Sequence, residues 1–312
     1  MEYVLKTHSL TKSFNGVEAV SDIGMKVKKG EIYGFLGPNG AGKTTVLKLI
    51  SNLLKPTCGE IELFGEKLTP TGYNVLKRMG SIIETPVFYE KLTARENMSL
   101  HCEYMGYHDK DAIEKALSLL EIEHTDKKPV RDFSLGMKQR LGIARAIVTK
   151  PEFIILDEPI NGLDPVGIKS IRDLIKTLNK DYEMTFLISS HILGEMEQLA
   201  QTIGIISGGK LVKEISMDTV REETLEYIEL RTDNTQAAAY VLDHELRLSN
   251  FKVMDHSLIR VYHPQITQSQ IIKAMVSNDV GIESINSVKS TLEEYFIRLI
   301  NGNEHSNKEG SR

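Results

Sequence analysis

A glycine-rich stretch, Gly37-Pro38-Asn39-Gly40-Ala41-Gly42-Lys43-Thr44-Thr45, has the residue types and spacing of a phosphate-binding loop. The glycines allow a turn in which several backbone N–H groups point at one anion. Lys43 adds a positive charge, and Thr44 adds a hydroxyl that can ligate Mg²⁺. All nine residues are therefore candidates for binding the phosphates of a nucleoside triphosphate.

The segments on either side of this loop support the interpretation. Residues 31–36 are apolar and predict a strand, and Val46, Leu47, Leu49, Ile50 and Leu53 follow the loop at helical spacing. The phosphates would then lie at the positive N-terminus of a helix. An ordinary glycine-rich turn would not require Lys-Thr at this place between a strand and a helix.

Two carboxylates follow a second apolar run. Residues 153–156 are typical of a buried parallel strand, and Asp157 and Glu158 close it. Ligands of open α/β sheets bind at the carboxyl ends of the strands, beside these side chains. Asp157 is thus placed to hold Mg²⁺, and Glu158 to orient and deprotonate an attacking water. A lone acidic pair is usually a surface feature, but its position after a buried strand favours the functional interpretation.

Three further residues have both a structural and a functional interpretation. His191 follows the apolar strand 185–190 and is either a structural histidine or, as we favour, a contact to the γ-phosphate. Ser134 predicts the N-cap of the helix that follows it, which leaves open a second anion site there. Phe14 is either a core residue or a ring that stacks on the nucleotide base. The Asn15-Gly16 pair after it predicts a β-hairpin turn.

Composition excludes several other classes of function. The chain has 312 residues and a net charge of −5, which disfavours a broad nucleic-acid surface. Its two cysteines, Cys58 and Cys102, indicate neither a disulfide framework nor a metal site, and suit a reducing cytosol. We expect no signal peptide and no membrane-spanning helix, because no apolar run approaches ~18 residues. Any membrane role would then depend on another chain.

The remaining pattern predicts two domains. Residues 72–132 are mostly helical in pattern and suggest an insertion within the nucleotide-binding sheet, whose last strands are residues 202–206 and 210–214. We predict a nucleotide-binding domain over residues 1–215, with a helical subdomain at about 85–140. Residues 216–300 follow as a small α+β domain, whose β-α-β-β-α-β pattern suggests a ferredoxin-like module. The pattern also predicts a last helix at 291–300, with a capping box at 290–293, and a disordered tail at 301–312.

The order of these motifs resembles the nucleotide-binding subunits of ABC transporters, and the match spans roughly residues 3–215. The resemblance implies an α/β P-loop NTPase fold with a helical subdomain, and ATP hydrolysis with Mg²⁺. It also implies a homodimer at the cytoplasmic face of the cell membrane, peripheral to it. That dimer would power an integral membrane permease and would contact neither the transported substrate nor nucleic acid.

The same resemblance assigns roles to individual residues. Phe14 corresponds to the aromatic ring that stacks on adenine. Ser134 and Gly136 correspond to the signature motif, which covers the γ-phosphate bound by the other subunit. Asp164 lies in the dimer-contacting loop, residues 161–164. Asp157 and Glu158 correspond to the Walker B pair, and His191 to the switch histidine.

Two departures from the family pattern are visible. The signature motif reads Phe-Ser-Leu-Gly-Met instead of Leu-Ser-Gly-Gly-Gln. Glu84 stands where the family usually has a glutamine that senses Mg²⁺ and the permease, so it is a candidate metal and nucleotide contact. Glu84, residues 88–89 and 92–97, and residues 292–296 resemble the bacitracin-resistance and lantibiotic-immunity branch. The resemblance therefore predicts the ATPase of an antimicrobial peptide exporter; a soluble regulatory ATPase is the alternative.

Overall fold

The computed structural model describes residues 2–125, 127–223, 226–262, 266–289 and Phe296. The chain forms two compact units, Met1–Met217 and Asp218–Arg312. Within the described ranges, no helix has both the length and the apolar character that a membrane span requires.

The first unit combines eleven strands with seven helices and two short 3₁₀ turns among its described residues. The strands are β1 (Tyr3–Phe14), β2 (Val17–Ile23), β3 (Lys26–Lys28), β4 (Ile32–Leu36), β5 (Cys58–Leu63), β6 (Glu66–Lys67), β7 (Met79–Ile82), β8 (Phe153–Asp157), β9 (Thr185–Ser190), β10 (Thr202–Ser207) and β11 (Lys210–Ser216). The helices are α1 (Lys43–Ile50), α2 (Tyr73–Leu76), α3 (Ala94–Met105), α4 (Ala112–Leu119), α5 (Leu135–Ile147), α6 (Pro165–Tyr182) and α7 (Leu193–Leu199). The 3₁₀ turns are Glu123–Thr125 and Val130–Asp132.

A six-stranded sheet positions the site, with the order β11-β10-β4-β9-β8-β7. Five of its strands are parallel, and β11 pairs antiparallel with β10. Every residue of β4, β8 and β9 is buried, as expected of a parallel sheet that is covered on both faces. The loop after β4 and the polar residues that end β8 and β9 therefore meet at one edge of the sheet.

An antiparallel sheet forms the second layer of this unit. Its strand order is β2-β1-β5-β6, and β3 also pairs with β1. The predicted hairpin turn is confirmed, because Asn15 and Gly16 join β1 to β2 with φ of 50° and 82°. Buried side chains of this sheet share one core with those of α1, β4, β8 and β9. Burial of that apolar surface holds helix α1, and hence the phosphate loop, between the two layers.

The helical part of the first unit differs from the predicted pattern at its beginning. Residues 72–132 were expected to be mostly helical, but Met79–Ile82 form β7, which pairs with β8 at the edge of the six-stranded sheet. Four residues are too few to display a clear strand period, and only the pairing with β8 identifies them. Helix α1 also ends at Ile50, so Leu53 lies beyond it and is exposed, contrary to expectation.

The second unit has the element order β-α-β-β-α-β. After helix α8 (Met217–Glu223), which spans the division between the units, it contains β12 (Glu226–Arg231), α9 (Thr235–His244), β13 (Phe251–Val253), β14 (Leu258–Val261), α10 (Gln268–Ser277) and β15 (Ser284–Lys289). The strands form one sheet in the order β13-β14-β12-β15, with every neighbouring pair antiparallel. Helices α9 and α10 pack on one face of it around a separate apolar core.

The assignment of this unit to the ferredoxin-like class stays a prediction. The predicted last helix at 291–300 and its capping box fall outside the described residues, except that Phe296 is helical and buried. The tail at 301–312 also lies outside them.

The packing of β7 on helix α5 generates a stability prediction. A Cβ at Gly80 would overlap the Ala146 carbonyl, which is backbone and cannot move aside cheaply. We expect Gly80→Ala to lower the free energy of unfolding by about 1–3 kcal/mol, measured as the midpoint of urea denaturation.

Gly194→Ala is the matched control. A Cβ at Gly194, in helix α7, would meet no atom within 4 Å, so alanine there should raise stability by about 0.4–1 kcal/mol. Equal midpoints for the two variants would contradict the close packing of β7 on α5.

Candidate nucleotide-binding site

The phosphate loop can adopt its conformation only with glycine at two positions. A Cβ at Gly37 would overlap the Ile206 carbonyl, and a Cβ at Gly42 would lie 2.6 Å from Val20 Cγ1. Gly42 also has a φ of 103°, which side-chain-bearing residues rarely adopt. It immediately precedes helix α1, so the first N–H groups of the helix are left for a ligand.

Lys43 is the first residue of α1. Its side chain is buried, and its ammonium contacts three oxygen atoms. Its ammonium donates to the carbonyls of Gly37 at 2.8 Å and Pro38 at 3.2 Å. It also lies 3.2 Å from Oε1 of Glu158. The loop thus folds back around a positive charge, which is held at the place where phosphates would arrive.

The Asp157 carboxylate, at the end of β8, links helix α1 to the loop after β7 and to the end of β9. Its Oδ2 accepts a hydrogen bond from the Thr44 hydroxyl at 2.8 Å and another from the Glu84 N–H at 3.3 Å. Its Oδ1 accepts from the Ser189 hydroxyl at 2.6 Å. The carboxylate is 4% exposed, so these donors offset the loss of hydration that burial imposes on a charge.

Glu158 follows Asp157 with a φ of 49°, a left-handed conformation that is uncommon for a residue with a side chain. One carboxylate oxygen faces Lys43, and the other lies 2.8 Å from Nδ1 of His191. Two residues predicted to act in catalysis, Glu158 and His191, are therefore in direct contact.

Lys43, Thr44 and Glu158 line a cleft of about 440 Å³. Its walls come from the phosphate loop, from the ends of β8 and β10, and from the antiparallel sheet. The lining residues are Glu18, Ala19, Asn39, Gly40, Gly42, Lys43, Thr44, Thr45, Glu158, Asn161, Gly208 and Gly209. A cleft with this size and these polar walls can accept the phosphate chain of a nucleotide.

Of the predicted site residues that do not line this cleft, four lie on other elements of the first unit. Phe14 is exposed at the end of β1, with the Lys12 ammonium 5.1 Å from its ring centroid. Ser134 caps helix α5 by accepting from the Met137 N–H at 3.3 Å, which confirms the predicted N-cap. Gly136 lies in the first turn of that helix. Asp164 caps α6 by accepting from the Gly167 N–H at 3.0 Å.

The backbone and the side chain of Glu84 contact different residues. Its N–H reaches Asp157, but its carboxylate accepts a hydrogen bond from the Lys48 ammonium at 2.7 Å. The side chain is 62% exposed. The structure therefore brings the backbone of Glu84, and not its carboxylate, to Asp157.

Sequence reasoning missed Ser189 as a member of this site. Its hydroxyl donates to Asp157 and accepts from the Glu158 N–H at 2.9 Å. It also missed Gly208 and Gly209, which line the cleft from the turn between β10 and β11. The available signal was the run of polar residues that ends the buried strand β9, beside His191.

The Thr44 hydroxyl and the Asp157 carboxylate fit Mg²⁺. Both are hard oxygen donors, they lie 2.8 Å apart, and they face the phosphate loop. Across the described parts of the chain, no cluster of three or more His, Cys, Asp or Glu side chains could hold a metal by itself. That is the usual arrangement for Mg²⁺ in nucleotide sites, where phosphates and water complete the coordination.

Comparison with known proteins agrees with this geometry. A family model described as ABC transporter matches residues 20–161. An uncharacterized ABC transporter ATP-binding protein of Bacillus subtilis (strain 168) is 58% identical over 98% of this chain and 100% of its own length. The chain belongs to the family of ABC transporter ATP-binding proteins. It is an ATP-binding subunit that hydrolyses ATP to drive transport, and it has the P-loop NTPase fold.

Two more relatives differ in how much of the chain they match. The bacitracin transport ATP-binding protein of Bacillus licheniformis is 44% identical over 97% of this chain and 99% of its own. The lantibiotic transport ATP-binding protein of Streptococcus pyogenes is 41% identical over 69% of this chain and 92% of its own.

A solved structure of similar fold is the dimeric ATP-binding cassette MJ0796, in a post-hydrolysis state bound to ADP and Pi. It has a TM-score of 0.62 and 26% identity, covering 68% of this chain and 98% of that chain.

The surroundings of Lys43 generate a binding prediction for this ABC ATPase. Lys43→Met keeps an unbranched side chain but removes the charge, and charge-assisted hydrogen bonds are each worth about 1.5–3 kcal/mol. We expect ATP affinity to fall about 10- to 100-fold, measured by titration with a fluorescent ATP analogue. Lys55→Met, at an exposed lysine beyond the same helix, should bind normally. Unchanged affinity in Lys43→Met would contradict the assignment of the phosphate loop.

Proposed function

We propose that this chain is the ATPase of an exporter for a bacitracin-type antimicrobial peptide, working on a separate membrane permease. The proposed substrate class is supported by the similarity to the bacitracin transport ATP-binding protein. This similarity extends over almost the whole chain and includes both units. The similarity to the lantibiotic transport protein covers only 69% of the chain. The second unit is therefore part of what this chain shares with the bacitracin protein.

The contacts of the site support different roles for Asp157 and Glu158. Thr44 and Asp157 would hold Mg²⁺, which when bound neutralises charge on the phosphate oxygens. Glu158 lies at the rim of the cleft with a carboxylate oxygen that faces Lys43. It would orient the attacking water and accept its proton, while His191 fixes the other carboxylate oxygen and reaches the γ-phosphate.

ATP binding would change the contact between Lys43 and Glu158. Lys43 is held by two carbonyls and one carboxylate oxygen. The phosphates of ATP bring a higher negative charge to the same ammonium and would compete for it. Glu158 would then lose its counter-ion when nucleotide is bound, and it would be free to engage the attacking water.

The predicted site residues on α5 and α6 support a homodimer. Ser134, Gly136 and Asp164 lie at the first turns of α5 and α6, away from the cleft walls. In a head-to-tail dimer, Ser134 and Gly136 would cover the γ-phosphate bound by the partner, with Asp164 at the dimer contact. Phe14 would stack on adenine through its exposed ring, in place of or beside the Lys12 ammonium.

An exposed surface on the segment after Glu84 and on α3 supports a permease partner, and that partner would place the chain at the cytoplasmic face of the membrane, peripheral to it. Val87, Tyr89 and Tyr104 are 79%, 55% and 74% exposed, and the two tyrosine hydroxyls lie 3.4 Å apart. Beside them, burial lowers the pKa of His101, and Arg145 lowers it further. Exposed apolar and aromatic side chains beside an arginine, whose guanidinium donates to the Val87 carbonyl at 2.7 Å, suit a protein partner.

Glu158→Gln tests the catalytic role. The amide keeps the shape of the carboxylate but cannot accept a proton, so hydrolysis should fall about 10²- to 10⁴-fold while ATP binding is retained. The variant should form an ATP-dependent dimer on gel filtration, because the nucleotide between the subunits is not consumed. Hydrolysis at the wild-type rate would mean that another group, with His191 the nearest, is the base.

Glu84 generates the prediction for coupling to the permease. Glu84→Gln and Glu84→Ala both keep the backbone N–H to Asp157 and a Cβ at φ 62°, so they differ only in the side chain beyond Cβ. Both should bind and hydrolyse ATP nearly normally, since the carboxylate is outside the cleft. Glu84→Ala should lose the link between hydrolysis and transport.

The readout pairs an ATPase assay with a peptide-resistance assay in cells that produce the permease. Glu84→Gln, which has the residue usual for the family, should still protect the cells. Full protection by Glu84→Ala would mean that this loop does not transmit the signal.

A further inference from the structure

Ser189 occupies a central position that the motifs of the family do not account for. It lies in β9, between β4 and β8, and its register partner on β8 is Asp157. The residue is completely buried. In a parallel sheet such a position is usually apolar, so the hydroxyl requires a polar partner on the neighbouring strand.

That hydroxyl contacts both acidic residues of the site. It donates to Oδ1 of Asp157 at 2.6 Å and accepts from the N–H of Glu158 at 2.9 Å. One O–H group thus links the Glu158 N–H to the Asp157 carboxylate in a short chain of hydrogen bonds, in which each bond polarises the next.

The two contacts constrain different features. The bond to Oδ1 fixes the rotation of the Asp157 carboxylate and leaves Oδ2 turned toward the Thr44 hydroxyl. The bond from the Glu158 N–H fixes the peptide group before that residue, whose φ is 49° and whose side chain contacts Lys43 and His191. A left-handed residue with a side chain persists only where its surroundings enforce it.

We propose that Ser189 is a positioning residue for ATP hydrolysis, which sets both the Mg²⁺-facing oxygen of Asp157 and the orientation of Glu158. The inference rests on the proposed roles of Asp157 and Glu158. Hydrogen bonds to metal-binding carboxylates commonly determine affinity and activity, and their loss costs about 10- to 100-fold.

The first experiment compares Ser189→Ala with the wild-type chain in two titrations of a fluorescent ATP analogue. In EDTA the affinities should agree within about twofold, because Ser189 does not touch the phosphate loop. With Mg²⁺ the variant should bind about 10-fold less tightly, and its kcat should fall about 10- to 100-fold. Ser189→Thr retains the hydroxyl and should restore most of both losses.

Thr185→Val is the matched structural control. Thr185 is also fully buried in β9, and its hydroxyl accepts from the Gly30 N–H at 2.9 Å, at the opposite end of the strand. Losing that hydroxyl should lower the melting temperature about as much as Ser189→Ala does, without altering the Mg²⁺ dependence of binding.

A double variant tests whether Ser189 acts through Asp157. Asp157→Asn should itself weaken Mg²⁺-dependent binding, and adding Ser189→Ala should weaken it no further, because the two residues form one contact. If Asp157→Asn left the Mg²⁺ dependence intact, the proposed metal role would fail. If Asp157→Asn removed it but Ser189→Ala did not, only the role of Ser189 would be overturned. Equal losses in EDTA and in Mg²⁺, or the same pattern in Thr185→Val, would also overturn it.

Discussion

The buried carboxylate of Asp157 is the group on which the arrangement of the site depends. It ends β8, and the donors that satisfy it come from α1, from the segment after β7 and from β9. A charge at 4% exposure needs these hydrogen bonds, and a buried donor or acceptor left unpaired costs about 1–3 kcal/mol. The same contacts that stabilise the carboxylate therefore hold the phosphate loop in register with three strands.

A second set of charges lies one residue further along the chain. Lys43, Glu158 and His191 form a chain of contacts across the cleft, and Lys43 is itself held by the loop carbonyls. Each of these groups would change partner during hydrolysis: the lysine to phosphate, the glutamate to water, and the histidine to the γ-phosphate. Asp157 is held by hydrogen bonds to both carboxylate oxygens, whereas the groups of this set would exchange partners in the proposed reaction. This contrast suits a site in which the metal end stays in place and the catalytic end moves.

The second unit has its own sheet, its own core and no part in the described cleft. The second unit bears on the proposed substrate because the bacitracin transport protein matches the chain over both units. The function class thus rests on two kinds of observation. The first unit contains the nucleotide site, and the similarity to the bacitracin transport protein continues through the second unit.

Local patterns were enough to predict the phosphate loop, the strand that ends in Asp157 and the N-cap at Ser134. Each depends on a short stretch of backbone: glycines for positive φ, an apolar run for a buried strand, and a hydroxyl before a helix. The family resemblance then predicted the P-loop NTPase fold and ATP hydrolysis. Short-range reasoning failed at β7, because a four-residue strand is recognised only by its partner.

Tertiary structure alone decided the contacts between segments that are distant along the chain. Ser189 faces Asp157 because β9 pairs with β8 in one particular register. Glu84 turns its carboxylate to Lys48 because the loop after β7 lies beside the second turn of α1. Lys43 meets Glu158 because the loop after β4 folds back over the end of β8. The sequence by itself determined which groups were available for chemistry. Strand register and the packing of α1 between two sheets determined which of them meet.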